Sequence, residues 1–287
     1  MKTYLDCIPC FLKQSLEAAR MTTDDQAIHA QVVKEVMKYL QNISFENPPP
    51  EISREVHEHI RRITKCKDPY KKVKEQSNAM AEKLYPRLKE LVKNADDSLL
   101  MAIKLAIIGN VIDFGAANRF NVNDMIDKTI ETDFIADAYP QFKEVLDKSK
   151  TILYLADNAG EIFFDKVLLE ELVSRKKQIT YVVRANPIIN DATVHDAKMA
   201  GIDKIAEVIA GDAGQDISAP GILLKFASKE FLECFRSADM VIAKGQGNYE
   251  ALSDSEREVF FLLVVKCPLV ARDINAEVGK LVLKVNT

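Results

Sequence analysis

Up to about Lys150 the apolar positions recur with the period of a helix. In "TTDDQAIHAQVVKEVMKYLQNI" a Thr/Asp start signal precedes Ile28, Val32, Val33, Val36, Met37 and Leu40, the spacing of one helix face. "KDPYKKVKEQSNAMAEKLYPRLKELV" offers Asp68 as N-cap and Pro69 at the first helical position, where a missing N–H costs nothing. "SLLMAIKLAIIGNVIDFG" is apolar on nearly all sides and suits the centre of a bundle.

After Lys150 the pattern changes to short apolar runs, rich in β-branched residues, alternating with helical segments. That alternation predicts βαβ units and a parallel sheet. Strands are expected at 151–156, 179–183, 205–209, 239–243 and 259–265. The fold class is therefore α/β: an all-helical domain over 1–149, then a Rossmann-like domain over 150–287 with a mainly parallel sheet of about five or more strands.

The first four of these runs end in small polar clusters: "DNAGE", "RANPIINDAT", "AGDAGQD" and "AKGQGNYE". In open parallel sheets ligands bind in the crevice outside the carboxyl ends of the strands. Four such loops on one sheet edge would form one site. Asp157 and Asn158, bent together by Ala159-Gly160, and Asp191 from the neighbouring loop would offer two carboxylates and a carboxamide. These are hard ligands suited to Mg²⁺ or Mn²⁺ and compatible with Co²⁺ or Ni²⁺. Lys244 and Arg184 could hold phosphate oxygens, with Gly245 letting backbone N–H groups approach an anion and Asn190 lining the same crevice. Asn110 and Asp113, three apart in "GNVIDFG", could reach the site from the helical side or hydrogen-bond to a neighbouring helix. Each residue also has a plainer reading: Asp157 or Asn158 capping the next helix, Lys244 solvated in a turn, Arg184 paired with Asp191. The site reading rests on four polar loops sharing one edge.

Composition narrows the partners. A net charge of -4 with 47% hydrophobic residues gives a globular chain with no general attraction to nucleic acid or anionic membrane. No segment reaches the roughly 20 apolar residues that span a bilayer, and the N-terminus has no signal-peptide core, so a cytoplasmic protein is expected. Five scattered cysteines do not make a secreted disulfide framework. "CIPC", Cys7 to Cys10, opens a helical region and could be redox-active, half of a zinc site or a pair of buried thiols. The first strand lacks GxGxxG, so no nucleotide cofactor is expected.

With "DNAGE", "INDAT", "KGQGNYE" and "CIPC" in one order, the chain resembles the metal-dependent damage-control phosphatases over essentially its full length. It looks most like their first subfamily, marked by an N-terminal CxxC, and its archaeal members. The resemblance implies a divalent metal held by Asp157, Asn158 and Asp191, a phosphate-side lysine at Lys244, and Glu161 beside the substrate. It implies hydrolysis of sugar phosphates or damaged phosphometabolites, with Mn²⁺, Ni²⁺, Co²⁺ or Mg²⁺. Two other classes stay in view: a carboxyl methyltransferase using S-adenosylmethionine, whose "RTxK" signature is not found here, and a metal or thiol sensor without turnover.

Overall fold

The computed structural model describes residues 1–110, 122–132, 134–214 and 217–286. The helical half forms α1 (Cys7–Thr22), α2 (Gln26–Leu40), α3 (Pro49–Thr64), α4 (Lys71–Lys93), α5 (Ser98–Ile108) and α6 (Val122–Glu131). Local chemistry sets several starts. Asp25 accepts the N–H of Ala27 ahead of α2, Asp97 accepts that of Leu100 ahead of α5, and α3 opens on Pro49-Pro50. Asp68 is not the cap of α4. It accepts the N–H of Tyr70 in a turn and pairs with Lys74, so the helix starts at Lys71.

The chain continues through β1 (Phe134–Ile135), α7 (Tyr139–Lys148), β2 (Thr151–Leu155), α8 (Ile162–Ser174), β3 (Gln178–Val183), α9 (Val194–Met199) and β4 (Glu207–Ala210). It ends with α10 (Lys229–Ser237), β5 (Met240–Lys244), α11 (Gly245–Leu252), β6 (Phe260–Val264), α12 (Pro268–Ile274) and β7 (Leu281–Val285). The described strands form one sheet in the order β1-β7-β6-β5-β2-β3-β4. β2 to β6 run parallel, β7 is antiparallel to β6, and β1 runs with β7.

The five strands expected from the sequence are β2 to β6. Only β4 shifts noticeably, because Ile205 and Ala206 both donate back to Ile202 and close a 3-10 turn before the strand begins. From β2 the chain winds outward through β3 and β4, then returns to β2's other side for β5 and β6. The β2/β5 crevice is therefore the topological switch point, where the fold leaves room for a ligand.

Core packing crosses the 149/150 line. The first three helices enclose Phe11, Val32, Val36, Ile52, Val56 and Ile60 among themselves. α4 and α5 instead share a core with the sheet, in which Leu88, Leu99, Ile103 and Ile107 join Leu168 and Leu172 of α8 and Ile152 and Ile242 of the strands. This explains why α8 is buried on most of its faces, and β1 adds a strand from before residue 150 to the same sheet. Among the described residues no helix is long and apolar enough to cross a membrane.

Leu168, fully buried in this shared layer, is the place to test it. Leu168→Ala is expected to lower the unfolding free energy by about 2–5 kcal/mol in a chemical denaturation series. A change below that range would mean the helical half and the sheet are not packed through α8.

Candidate functional site

The loops after β2 and β3 are zipped to one another. Ala159 donates its N–H to Asn190 O at 2.8 Å, Ala192 donates to Asp157 O at 2.8 Å, and Asn158 and Asp191 face each other as an antiparallel bridge. Gly160, at φ +79°, turns the chain into α8. This short pairing sets Asp157, Asn158 and Asp191 side by side, the first and last of them buried. Neither Asp157 nor Asn158 caps α8, which begins after Glu161 without a side-chain cap of its own.

Beneath them lies a buried polar cluster. Asn110, at the end of α5, donates its Nδ2 to Asp157 Oδ2 at 2.7 Å and to Glu161 Oε2 at 2.8 Å. Asn158 donates to the same two oxygens at 2.7 and 3.1 Å. Lys244, at 0% exposure, donates to Glu161 Oε1, to Asp165 Oδ1 at 2.6 Å and to Ala106 O at 2.7 Å. Asp165 also accepts the hydroxyls of Tyr154 and Tyr181, at 2.7 and 2.8 Å. Lys244 is thus not a solvated turn lysine. A phosphate oxygen at its ammonium would have to displace one of three acceptors. Burial alone would lower the Lys244 pKa, but Asp165 and Glu161 outweigh it and hold the ammonium above its ordinary value.

The carboxylates beside the crevice are less well compensated. Burial, followed by the charges of Glu161 and Asp191, pushes Asp157 up to about 7 against the pull of Lys266 and Arg184. Burial likewise raises Asp191 to about 6, with Arg184 the largest opposing influence. Arg184 Nε donates to Asp191 Oδ2 at 2.7 Å, the pairing that the sequence left open, and its Nη2 donates to Asn248 Oδ1 at 3.3 Å. Asn248, fully buried, donates in turn to Ala156 O and Lys244 O, so it ties the ends of β2 and β5 together.

Two buried atoms here have no partner among the described residues: Asn110 Oδ1 and Arg184 Nη1. One is an acceptor suited to a cation or its water, the other a donor suited to an anion's oxygen. No three Asp, Glu, His or Cys side chains among the described residues form a ready cage. The candidate donors are Asp157, Asp191 and the Asn158 carboxamide, an all-oxygen set that fits a hard divalent cation whose waters complete the shell. Asn158 presents its Nδ2 to Asp157, so ligation through its oxygen requires the carboxamide to rotate.

Gly245 has a different reason for being glycine than the one expected. A Cβ there would lie 2.0 Å from Asp157 Oδ2, at φ +79°. The anion that this backbone approaches so closely is the protein's own Asp157 carboxylate. Asn190 contributes its carbonyl to the loop pairing. The loop after β4 plays a supporting part: Asp212 accepts the N–H of Ala185, and Ser218 Oγ accepts that of Asn186 at 2.9 Å. Asp113 lies outside the described residues. Cys7 is half-buried and Cys10 exposed at the start of α1, both thiols unpaired and raised by burial.

Sequence reasoning missed Asp165, Asn248, the exposed Lys266 and, on α4, the buried pair Lys74 and Asn78. The last two were findable as polar residues at i and i+4 on the same helix face as Ala81.

The chain matches the damage-control phosphatase ARMT1-like domain over residues 3–282, and it belongs to that family. It is 39% identical to an uncharacterised protein of Methanocaldococcus jannaschii over 97% of this chain and 93% of the relative. It is 36% identical to a damage-control phosphatase of Archaeoglobus fulgidus over 97% of each. The crystal structure of a DUF89 family protein from Pyrococcus horikoshii is similar over 100% of both chains, with TM-score 0.90 and 34% identity.

Gly245→Ala tests the contact with Asp157. The added methyl is expected to cost about 1–3 kcal/mol of stability, as overpacking does, and to displace the carboxylate in a crystal structure of the variant. A variant of wild-type stability with Asp157 unmoved would show that this approach is not a constraint.

Proposed function

We propose that this family member is a metal-dependent phosphatase that hydrolyses phosphate esters of small metabolites, sugar phosphates or damaged phosphometabolites, as metabolite damage control. The observation that carries the reading is the pair of orphaned buried atoms, Asn110 Oδ1 and Arg184 Nη1, at the Asp157 and Asp191 carboxylates. An acceptor wanting a cation and a donor wanting an anion fit a metal-phosphate pair better than either ligand alone. The name carried by the Archaeoglobus relative, a damage-control phosphatase, supports the same class.

In this reading Asp157, Asn158 and Asp191 hold Mn²⁺, Ni²⁺, Co²⁺ or Mg²⁺, and the bound ion supplies Lewis-acid polarisation of a phosphoryl oxygen and a more acidic water. The chain's own groups do the rest. Arg184, gripped by Asp191 and Asn248, is oriented to donate Nη1 to a second phosphoryl oxygen. The amino end of α11 opens at Gly245 beside Asp157, where its dipole favours negative charge. Lys266 adds an exposed cation near Asp157 for the substrate side. Lys244 acts from below by fixing Glu161, and through Glu161 the two carboxamides that touch Asp157. Either Asp157 or Asp191 takes the proton of the attacking water while the P–O bond to the ester alcohol breaks and the alcohol leaves with a proton from solvent, or Asp157 attacks phosphorus, expels the alcohol, and water then cleaves the aspartyl phosphate. Acid-quenched protein carrying phosphate on Asp157 would select the second route.

Phosphate release should be measured on metal-stripped protein with each divalent ion restored, against sugar phosphates, nucleotides and an aryl phosphate. The expected result is metal-dependent turnover that Asp157→Ala and Asp191→Ala each reduce by at least about a hundredfold, consistent with loss of a ligand, while both still unfold cooperatively. No release by wild type with any of the metals would overturn the proposal and bring the methyltransferase and sensor readings forward.

A further inference from the structure

Asp157 and Asp191 lie on loops that follow different strands, and a metal site needs their separation fixed to a fraction of an ångström. The backbone pairing between the loops does part of this. A second tie comes from α4, far away in sequence. Asn78 is 2% exposed, and its carboxamide uses both ends. Its Oδ1 accepts the N–H of Gly160 at 2.6 Å, and its Nδ2 donates to Asp196 Oδ1 at 2.8 Å. Asp196 in turn accepts, through Oδ2, the N–H of Thr193 at 2.8 Å and its hydroxyl at 2.6 Å, the capping box that opens α9.

One side chain therefore spans the two ligand-bearing loops, gripping the first three residues after Asp157 and the second five residues after Asp191 through Asp196. Gly160 lies just before Glu161, the residue that precedes α8, so the bond to Asn78 fixes the approach of the loop to that helix. One turn earlier on α4, buried Lys74 is held by Asp68 at 2.8 Å, and its charge acts on Asp191.

We infer that Asn78 is a positioning residue of the metal centre: by holding Gly160 and Asp196 at once it sets the spacing of Asp157 and Asp191, and it makes that spacing depend on the seating of α4. The inference rests on the metal reading proposed above. Asn78 touches neither ion nor substrate, so its effect belongs to the outer support of the ligands, where substitutions cost about tenfold to a hundredfold in metal affinity.

The test is Mn²⁺ binding to metal-stripped protein by titration calorimetry, with thermal unfolding recorded on the same samples. Asn78→Ala is expected to weaken binding by about tenfold or more and still unfold in one transition. Asn78→Asp alone keeps an acceptor for Gly160 but sets a carboxylate against Asp196, and should weaken binding similarly. Combining Asn78→Asp with Asp196→Asn restores a donor and an acceptor between the two positions, and should bring affinity back to within about threefold of wild type if the tie is what matters. A purely structural role would lower thermal stability in the single variants without this loss and rescue of affinity. If Asn78→Ala does not fold, the reciprocal exchange still decides. Wild-type affinity in Asn78→Asp, or an exchange variant no better than Asn78→Asp, overturns the inference. No Mn²⁺ binding by wild type instead removes the metal reading itself.

Discussion

The structure depends on one electrostatic imbalance. Asp157, Glu161, Asp165 and Asp191 are all buried at the carboxyl end of the sheet, and two buried cations bond to them directly. Lys244 answers Glu161 and Asp165, and Arg184 answers Asp191. Among the described residues Asp157 is left with two carboxamide N–H donors and no cation in contact. Burying a carboxylate without a counter-charge is costly, and the usual response is protonation or cation binding. Burial and the neighbouring carboxylates accordingly push Asp157 up to about 7, which favours the first. The second is what a divalent metal would provide on the reading proposed above.

Everything around the site serves to hold that charge in place. The switch point between β2 and β5 creates the crevice, and Asn248 locks its two sides. The glycine at 245 lets the start of α11 press against Asp157 where any side chain would collide with it. The helical half is not an accessory, since α5 ends on Asn110 and α4 carries Asn78, both of which bond to the loop that begins at Asp157. Because α4 and α5 pack on α8, the same apolar layer that stabilises the fold sets the position of those carboxamides.

Much of this was legible in the sequence. The change of apolar period near residue 150 marks the parallel strands, and the polar clusters after them mark the edge where Asp157, Asn158 and Asp191 meet. What stayed hidden has physical causes. β1 is two residues long and has no local signature, whereas "LVLKV" of β7 is a short apolar run like the others and lies outside the five runs expected as strands. Lys244 reads as a loop lysine because its glycine-rich neighbours suggest exposure, whereas its partners Glu161, Asp165 and Ala106 come from distant elements. Asn78 and Lys74 sit in what looks like an ordinary charged helix; the face they share with Ala81 is a hint, and the packing of α4 against the loops is what buries them.

The most direct measurement is anomalous diffraction from crystals grown with Mn²⁺. The account predicts a strong peak within coordination distance of Asp157, Asp191 and the Asn158 carboxamide oxygen, with Lys244 still bonded to Glu161 and Asp165. A fully occupied peak elsewhere, with the Asp157 carboxylate still held by Asn110 and Asn158, would contradict the claim that this carboxylate is where the protein places its metal.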